Sequence, residues 1–298
     1  MRVEKLATPD GDSVYLYHRD IAPGQPRVFL LHGLEGSVRS HYVQGIARGA
    51  EARGWNFTLL VFRGCGPEFN LAPRMYHSGE TSDLRLALDE VTGRHPAEPV
   101  FLAGVSLGGN VLLKYLGEDP ERVPGQIRAA AAVSVPFDLE AGSRHLQRGF
   151  AKVYDRHFLK SLRLKALRKL DQHPGLFDRG QAMQADSIES FDDAVTGPIH
   201  GFAGSHDYYT RSSSIHFIER IAIPTLLVSS ADDPFLPSAV LHQVRKIAIA
   251  NPHLSVQFSQ RGGHVGFVSG NFPFRPYYWA EARVLQFFGD QRVASAVR

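Results

Sequence analysis

Two kinds of apolar pattern divide this chain. Residues 3–8 (VEKLAT) and 13–19 (SVYLYHR) alternate apolar with polar positions around the turn sequence Pro9-Asp10-Gly11-Asp12, which predicts an antiparallel hairpin. Beyond it the alternation stops. Residues 27–32 (RVFLLH), 56–62 (NFTLLVF), 99–105 (PVFLAGV), 129–135 (AAAAVSV) and 224–229 (PTLLVS) are near-continuous apolar runs, the mark of strands covered on both faces in a parallel sheet. Residues 254–259 read as a last strand. Helical spacing falls between these runs, at 42–53, 79–94, 107–116 and 238–250, each stretch long enough to cross from one parallel strand to the next. Residues 277–288 predict a final helix against the sheet. Strand and helix alternate, so the fold class is α/β, a mostly parallel central sheet with an N-terminal antiparallel hairpin.

The alternation breaks between Phe137 and about Ser214, where helical patterns and loops occur without a buried strand. This stretch predicts an inserted helical cap, dividing the chain into a core of residues 1–136 and 215–298 and a cap of residues 137–214. The insertion leaves the sheet after the strand 129–135, at the carboxyl edge of the strands, where open α/β sheets bind ligands. Within it, residues 155–173 (DRHFLKSLRLKALRKLDQH) set Phe158, Leu159, Leu162, Ala166 and Leu170 at helical spacing and Lys and Arg elsewhere. That pattern reads as a cap helix with its apolar side over the site, the alternative being peripheral contact with an anionic lipid surface.

Composition changes this picture little. Hydrophobic residues are 43% and charged residues 21% of the 298 positions, ordinary globular usage. Thirty-three Lys and Arg against 30 Asp and Glu leave a formal +3 with no basic tail, so no nucleic-acid partner is implied. The single cysteine, Cys65, cannot form an internal disulfide and leans towards a reducing compartment. The first twenty residues lack the apolar stretch of a signal peptide, and no window approaches the roughly 20 apolar residues of a spanning helix. The expectation is a cytoplasmic protein without a transmembrane segment; its oligomeric state is open. Fourteen histidines include no H-E-x-x-H spacing, and the glycines at 104, 108 and 109 fit no dinucleotide or phosphate loop. No metal and no cofactor are expected.

The chemistry gathers at the strand ends. Gly104-Val105-Ser106-Leu107-Gly108 fits G-x-S-x-G directly after an apolar strand and directly before a helix. There the serine sits on a sharp turn whose neighbours must be small, and the following helix N-terminus favours a developing oxyanion. A serine hydroxyl needs a base, and the base needs an acceptor that fixes its tautomer. His264, in Gly262-Gly263-His264-Val265-Gly266 after the last strand, is the best-placed base. Asp233 is the favoured acid, at the head of a D-x-apolar-apolar-P pattern, with its neighbour Asp232 and the more distant Asp138 as alternatives. The order Ser106, Asp233, His264 is that of one of the three known arrangements of such a triad. An oxyanion hole takes two backbone N–H groups, that of Leu107 and, from the loop His32-Gly33-Leu34-Glu35-Gly36-Ser37, that of Leu34. His32 reads as a structural hydrogen-bonder, and Ser78 and Glu80 as the start of a helix.

At these residues the chain resembles the α/β-hydrolase superfamily, and more narrowly the YheT-like hydrolases, relatives of mammalian abhydrolase-domain lipases. The resemblance runs through HGLEGS (32–37), FRGCG (62–66), YHSGETSDL (76–84), GVSLGGNVLLKYLGE (104–118), DYYTRSS (207–213), DDPF (232–235) and GGHVGF (262–267). RGCGPEFN (63–70) departs from the RGCSGEPN more often found there, so no role is carried over to residues 65–69. The resemblance implies an α/β-hydrolase fold and a cofactor-free acyl hydrolase acting on a small-molecule ester or lipid-like substrate, without naming the ester. Acyl transfer, thioester hydrolysis or perhydrolysis would use the same triad, and a non-catalytic ligand receptor would use only the fold. Phe150, Tyr154, Phe158, Leu162 and Phe177 are the candidates for an apolar wall along the acyl chain.

Overall fold

The computed structural model describes residues 1–269 and 277–296. Eight strands form the main sheet: β1 (Arg2–Ala7), β2 (Ser13–Arg19), β3 (Arg27–Leu31), β4 (Asn56–Val61), β5 (Val100–Val105), β6 (Ile127–Val133), β7 (Thr225–Ser230) and β8 (Leu254–Ser259). Their spatial order is β1-β2-β4-β3-β5-β6-β7-β8. β1 and β2 pair antiparallel, β2 joins β4 antiparallel, and every pairing from β4 to β8 is parallel. The unbroken runs are the central strands: every residue of β3, β4, β5 and β7 is buried. A short ribbon, β9 (Val268–Ser269) with β10 (Tyr277–Tyr278), stands apart.

Helices cover both faces. In chain order they are α1 (His41–Glu51), α2 (Ser82–Arg94), α3 (Leu107–Glu118), α4 (Leu139–Leu146), α5 (Lys152–Gln172), α6 (Arg179–Gln184), α7 (Ile188–Phe191), α8 (Gly197–His200), α9 (Ser205–Ser212), α10 (Ser238–Ala250) and α11 (Trp279–Ala296). Because successive strand residues point to opposite faces, each buried strand feeds two cores. Phe29 and Leu31 of β3 join the apolar side chains of α2, α3 and α10, whereas Val28 and Leu30 join those of α1 and α11. The result is a three-layer sandwich. The last helix begins at Trp279, because Tyr277 and Tyr278 are taken up by the ribbon.

Between β6 and β7 the chain is helical, with no strand among the described residues. Its helices bury Leu159, Ala166, Phe177, Phe191 and Val195 against one another in a cluster separate from the two sheet cores. The segment leaves and returns at one point, where Ile215 N–H donates to the Phe137 carbonyl at 3.0 Å. Asn110 of α3 fastens that junction. Its fully buried side chain donates to the carbonyls of Ser78 (2.8 Å) and Ser212 (2.7 Å) and accepts from Ser214 N–H (2.9 Å). Among the described residues no helix is long and apolar enough to cross a membrane.

Candidate active site

β5 ends at Val105 and α3 begins at Leu107, so the single residue between them must reverse the chain. Ser106 does so at φ 54° and ψ −122°, a conformation costing a non-glycine residue about 1–3 kcal/mol. Its N–H is held by the Val133 carbonyl at 2.8 Å. A Cβ on Gly104 would lie 2.6 Å from the Gly108 carbonyl oxygen, the collision between strand and helix that the motif avoids. Gly108 answers to a different neighbour: a Cβ there would stand 2.4 Å from the His32 carbonyl oxygen at the end of β3.

His264 hangs on the turn after β8, where Gly263 (φ 60°) and Val265 (φ 61°) both take left-handed backbone. Ser230 Oγ donates to the Gly263 carbonyl (2.9 Å), and Val265 N–H donates to Ser134 Oγ (3.1 Å), fixing the turn on both sides. His264 Nδ1 lies 2.9 and 3.0 Å from the two carboxylate oxygens of Asp233, and Nε2 lies 2.9 Å from Ser106 Oγ. A carboxylate only accepts, so Nδ1 donates and Nε2 is left to accept from the serine. Asp233 also accepts from Phe235 N–H at 2.8 Å, and the Phe235 ring lies 3.9 Å from the imidazole centroid. Asp232 instead accepts from Gly263 N–H (2.9 Å), orienting the histidine turn, and Asp138 caps α4 by accepting from Ala141 N–H (2.9 Å). Of the three candidate carboxylates, only Asp233 is bonded to the imidazole.

The loop after β3 is tied down at nearly every amide. Gly33 N–H donates to Tyr42 Oη (2.9 Å), Glu35 N–H to Tyr76 Oη (2.9 Å), Gly36 N–H to the Gly33 carbonyl (2.9 Å) and Ser37 N–H to Ser40 Oγ (3.1 Å). Among the described residues, neither Leu34 N–H nor Leu107 N–H at the head of α3 has a hydrogen-bond partner. His32 is wholly buried, and burial pushes its pKa down to about 4, so the ring is neutral. Its Nε2 accepts from Phe62 N–H (3.1 Å), so Nδ1 carries the proton and donates to the Gly33 carbonyl at 2.7 Å. That carbonyl belongs to the peptide group whose N–H is Leu34's.

Leu34, Ser106, Leu107 and His264 border one cavity of about 100 Å³, walled by Leu139, Leu146, Phe158, Tyr208 and Phe235. A second, of about 90 Å³, shares Leu34, Leu107, Ile188 and Asp192 with it and reaches Leu162 and Lys165. Phe158 and Leu162 are therefore wall residues of the two cavities. Two others expected on the acyl wall are not: Phe150 precedes α5 and is 75% exposed, and Phe177 lies beyond α5, buried in the helices' own cluster. Tyr154 packs edge-on against Phe235 (5.0 Å) and does not line the cavity. Two cations of α5 point inward. Lys165 pairs with Glu35, and buried Lys169 donates to the carbonyls of Asn70 (2.7 Å) and Ala72 (2.8 Å). Ser78 does not begin α2, which starts three residues beyond Gly79; its N–H donates to Tyr208 Oη (2.8 Å) and it lines both cavities.

Asp192 carried no sequence signal. It sits on the π-helical turn Asp192–Thr196 between α7 and α8, bonded by Thr196 Oγ1 (2.6 Å) and Tyr209 Oη (2.8 Å). Burial raises its pKa to about 7. A carboxyl whose folded pKa is raised stabilises the fold fully below its unfolded pKa, about 4, and loses that contribution as pH rises through about 7. Asp192→Asn, which stays neutral, is therefore expected to gain thermal stability relative to the parent between pH 5 and pH 8. Unfolding midpoints at the two pH values check this; a gap that narrows with rising pH would reverse the sign. Among the described residues no group of three or more His, Cys, Asp or Glu could hold a metal ion.

This chain belongs to the α/β-hydrolase family: it matches the family described as alpha/beta hydrolase fold over residues 26–270. It is 39% identical over 286 residues to the Escherichia coli (strain K12) protein named "Putative esterase YheT", covering 94% of this chain and 82% of that one. It is 31% identical over 289 residues to the Bos taurus "Phospholipase ABHD3", covering 93% of this chain and 69% of the relative. Among solved structures, the Pyrococcus furiosus esterase Pf2001 shares the fold with a TM-score of 0.63 over 97% of this chain and 89% of that one, at 17% identity.

Proposed function

We propose that this protein is a serine hydrolase that cleaves carboxylic esters with apolar acyl groups. The observation that carries the reading is the continuous hydrogen-bonded chain Asp233–His264–Ser106, ending at an apolar cavity beside two unpartnered N–H groups. Ser106 Oγ attacks the ester carbonyl carbon while His264 Nε2 takes the hydroxyl proton, and the N–H groups of Leu34 and Leu107 hold the oxyanion. Collapse expels the alcohol, which leaves with the proton from His264, and the acyl group stays on Ser106. Water, deprotonated by His264, then bonds the acyl carbon; the Ser106–acyl bond breaks, the carboxylic acid leaves, and His264 returns the proton to Ser106 Oγ. The names of the relatives, an esterase and a phospholipase, support ester cleavage as the reaction class.

The helices of residues 137–214 act in this reading as a cap that sets acyl preference, because Leu139, Leu146 and Phe158 supply cavity wall and none supplies a triad group. Each methylene buried is worth about 0.8 kcal/mol, so kcat/KM rises roughly threefold to fourfold per acyl carbon until the cavity is full. A chain-length panel of p-nitrophenyl esters tests the function and this slope together. Phe158→Ala is expected to flatten the slope for butyrate and octanoate more than it lowers acetate turnover, and Phe150→Ala to change neither. Equal losses on all three esters in Phe158→Ala would remove that side chain from the acyl site; no ester turned over by the parent would remove the function.

A further inference from the structure

The donor loop depends on a residue far outside it. Glu35 follows Leu34 and holds φ 55°, left-handed backbone that a glutamate adopts only under constraint. One constraint is the turn closed by Gly36 N–H on the Gly33 carbonyl, which places Glu35 at its third position; the other is a hydroxyl. Tyr76 Oη accepts Glu35 N–H at 2.9 Å and donates to Glu35 Oε1 at 2.8 Å, gripping main chain and side chain of one residue. The Tyr76 ring is itself fixed, stacked on Phe62 at 5.4 Å and an interplanar angle of 5°. The same Oε1 accepts from Lys165 Nζ at 2.7 Å, and that ammonium also lies 3.2 Å from Cys65 Sγ. Lys165 belongs to α5, on the helical segment between β6 and β7.

Leu34 is flanked by two planar peptide groups. His32 Nδ1 and Gly36 N–H hold the one before it through the Gly33 carbonyl; Tyr76 holds the one after it through Glu35 N–H. A planar peptide turns as a unit, so fixing both neighbours fixes the direction of the Leu34 N–H. The pair of Lys165 and Glu35 is largely shielded from water, with side-chain exposures of 22% and 16%, so it is screened less than a surface pair. Without the ammonium, Glu35 Oε1 keeps, among the described residues, only the tyrosine hydroxyl to hold it.

We propose that Lys165 is a positioning residue for the oxyanion hole: acting through Glu35 and Tyr76, it sets the Leu34 N–H and makes oxyanion stabilisation depend on how α5 is seated. This rests on the ester-hydrolase reading and adds to it a control of rate by the helical segment. Removing an oxyanion donor outright costs about 10²–10³ in kcat, and displacing one costs part of that.

The test compares the parent with Lys165→Met, Lys165→Arg and Tyr76→Phe on a short p-nitrophenyl ester. It also measures inhibition by a trifluoromethyl ketone, whose adduct with Ser106 places an oxyanion in the hole, and by the matching trifluoromethyl carbinol, which forms no adduct. Expected for Lys165→Met and Tyr76→Phe is a kcat loss of about 10- to 100-fold with KM within twofold, and ketone affinity weakened by a similar factor. Carbinol affinity stays unchanged, and Lys165→Arg recovers most of the rate. If Lys165→Met does not fold, Tyr76→Phe, which keeps the ring stack, carries the same expectation. Variants with parental kcat, or with ketone and carbinol weakened alike, overturn the inference while leaving the hydrolase reading intact. A parent that neither cleaves ester nor binds the ketone overturns the hydrolase reading and the inference with it.

Discussion

Ser106→Ala is expected to reduce ester turnover by several orders of magnitude and to abolish labelling by a fluorophosphonate, with the fold unchanged. Alanine removes the hydroxyl bonded to His264 Nε2 and leaves the buried surroundings in place. The two free N–H groups of Leu34 and Leu107 remain, so the variant is not reduced to the rate in water. Oxyanion stabilisation and binding alone sustain a residual catalysis of about 10³–10⁴ over the uncatalysed reaction. Alanine at φ 54° carries the same backbone cost as serine, so the unfolding midpoint is expected to stay close to that of the parent. The measurement is the steady-state rate on an acetate ester together with gel detection of the probe. A folded variant that keeps more than a few per cent of parental turnover, or that still takes the label, would move the nucleophile elsewhere.

The sheet was legible because burial on both faces leaves an unbroken apolar record, as in β4 (NFTLLV) and β5 (VFLAGV). The elbow at Ser106 was legible for a local reason: its glycines are needed by atoms only a few residues away or at the end of the neighbouring strand. The proposed base and acid were placed as positions after strands, and geometry was needed to single out Asp233, which bonds the His264 imidazole, from Asp232 and Asp138. What stayed hidden was set by contacts without a period. Tyr76 and Lys165 meet Glu35 across 41 and 130 residues, and no spacing rule relates them. Asp192 owes its raised pKa to burial on the π-turn, against which the hydrogen bonds from Thr196 and Tyr209 act, and that burial leaves no pattern in the sequence. Along α5, helical spacing identified Phe158 and Leu162, which the structure sets on cavity walls. The same reasoning could not tell that Phe150 precedes the helix or that Phe177 turns into the segment's own core, because periodicity identifies an apolar side but not what lies opposite it.

Asp233→Asn and Asp232→Asn, one position apart, are expected to differ by about three to four orders of magnitude in kcat. Asp233 receives the Nδ1–H of His264 with both oxygens within 3.0 Å, which leaves Nε2 bare to take the Ser106 proton. An asparagine amide at 233 can donate to Nδ1, favouring the tautomer that carries its proton on Nε2. That tautomer cannot act as a base towards serine, and the loss reaches about 10⁴ in kcat with the geometry preserved. Asp232 meets no part of the imidazole; its Oδ1 accepts from Gly263 N–H, a bond that the carbonyl oxygen of asparagine can also accept. Its substitution is expected to change kcat little and to cost about 1 kcal/mol or less in stability. Asp138→Ala removes the cap of α4 and is expected to cost about 1 kcal/mol of stability with activity retained. Rates on an acetate ester and unfolding midpoints for the three variants separate the roles. Should Asp232→Asn prove the deeper catalytic lesion, with Asp233→Asn affecting stability alone, the acid would have to be reassigned and the hydrogen bond between Asp233 and His264 read as support for the turn.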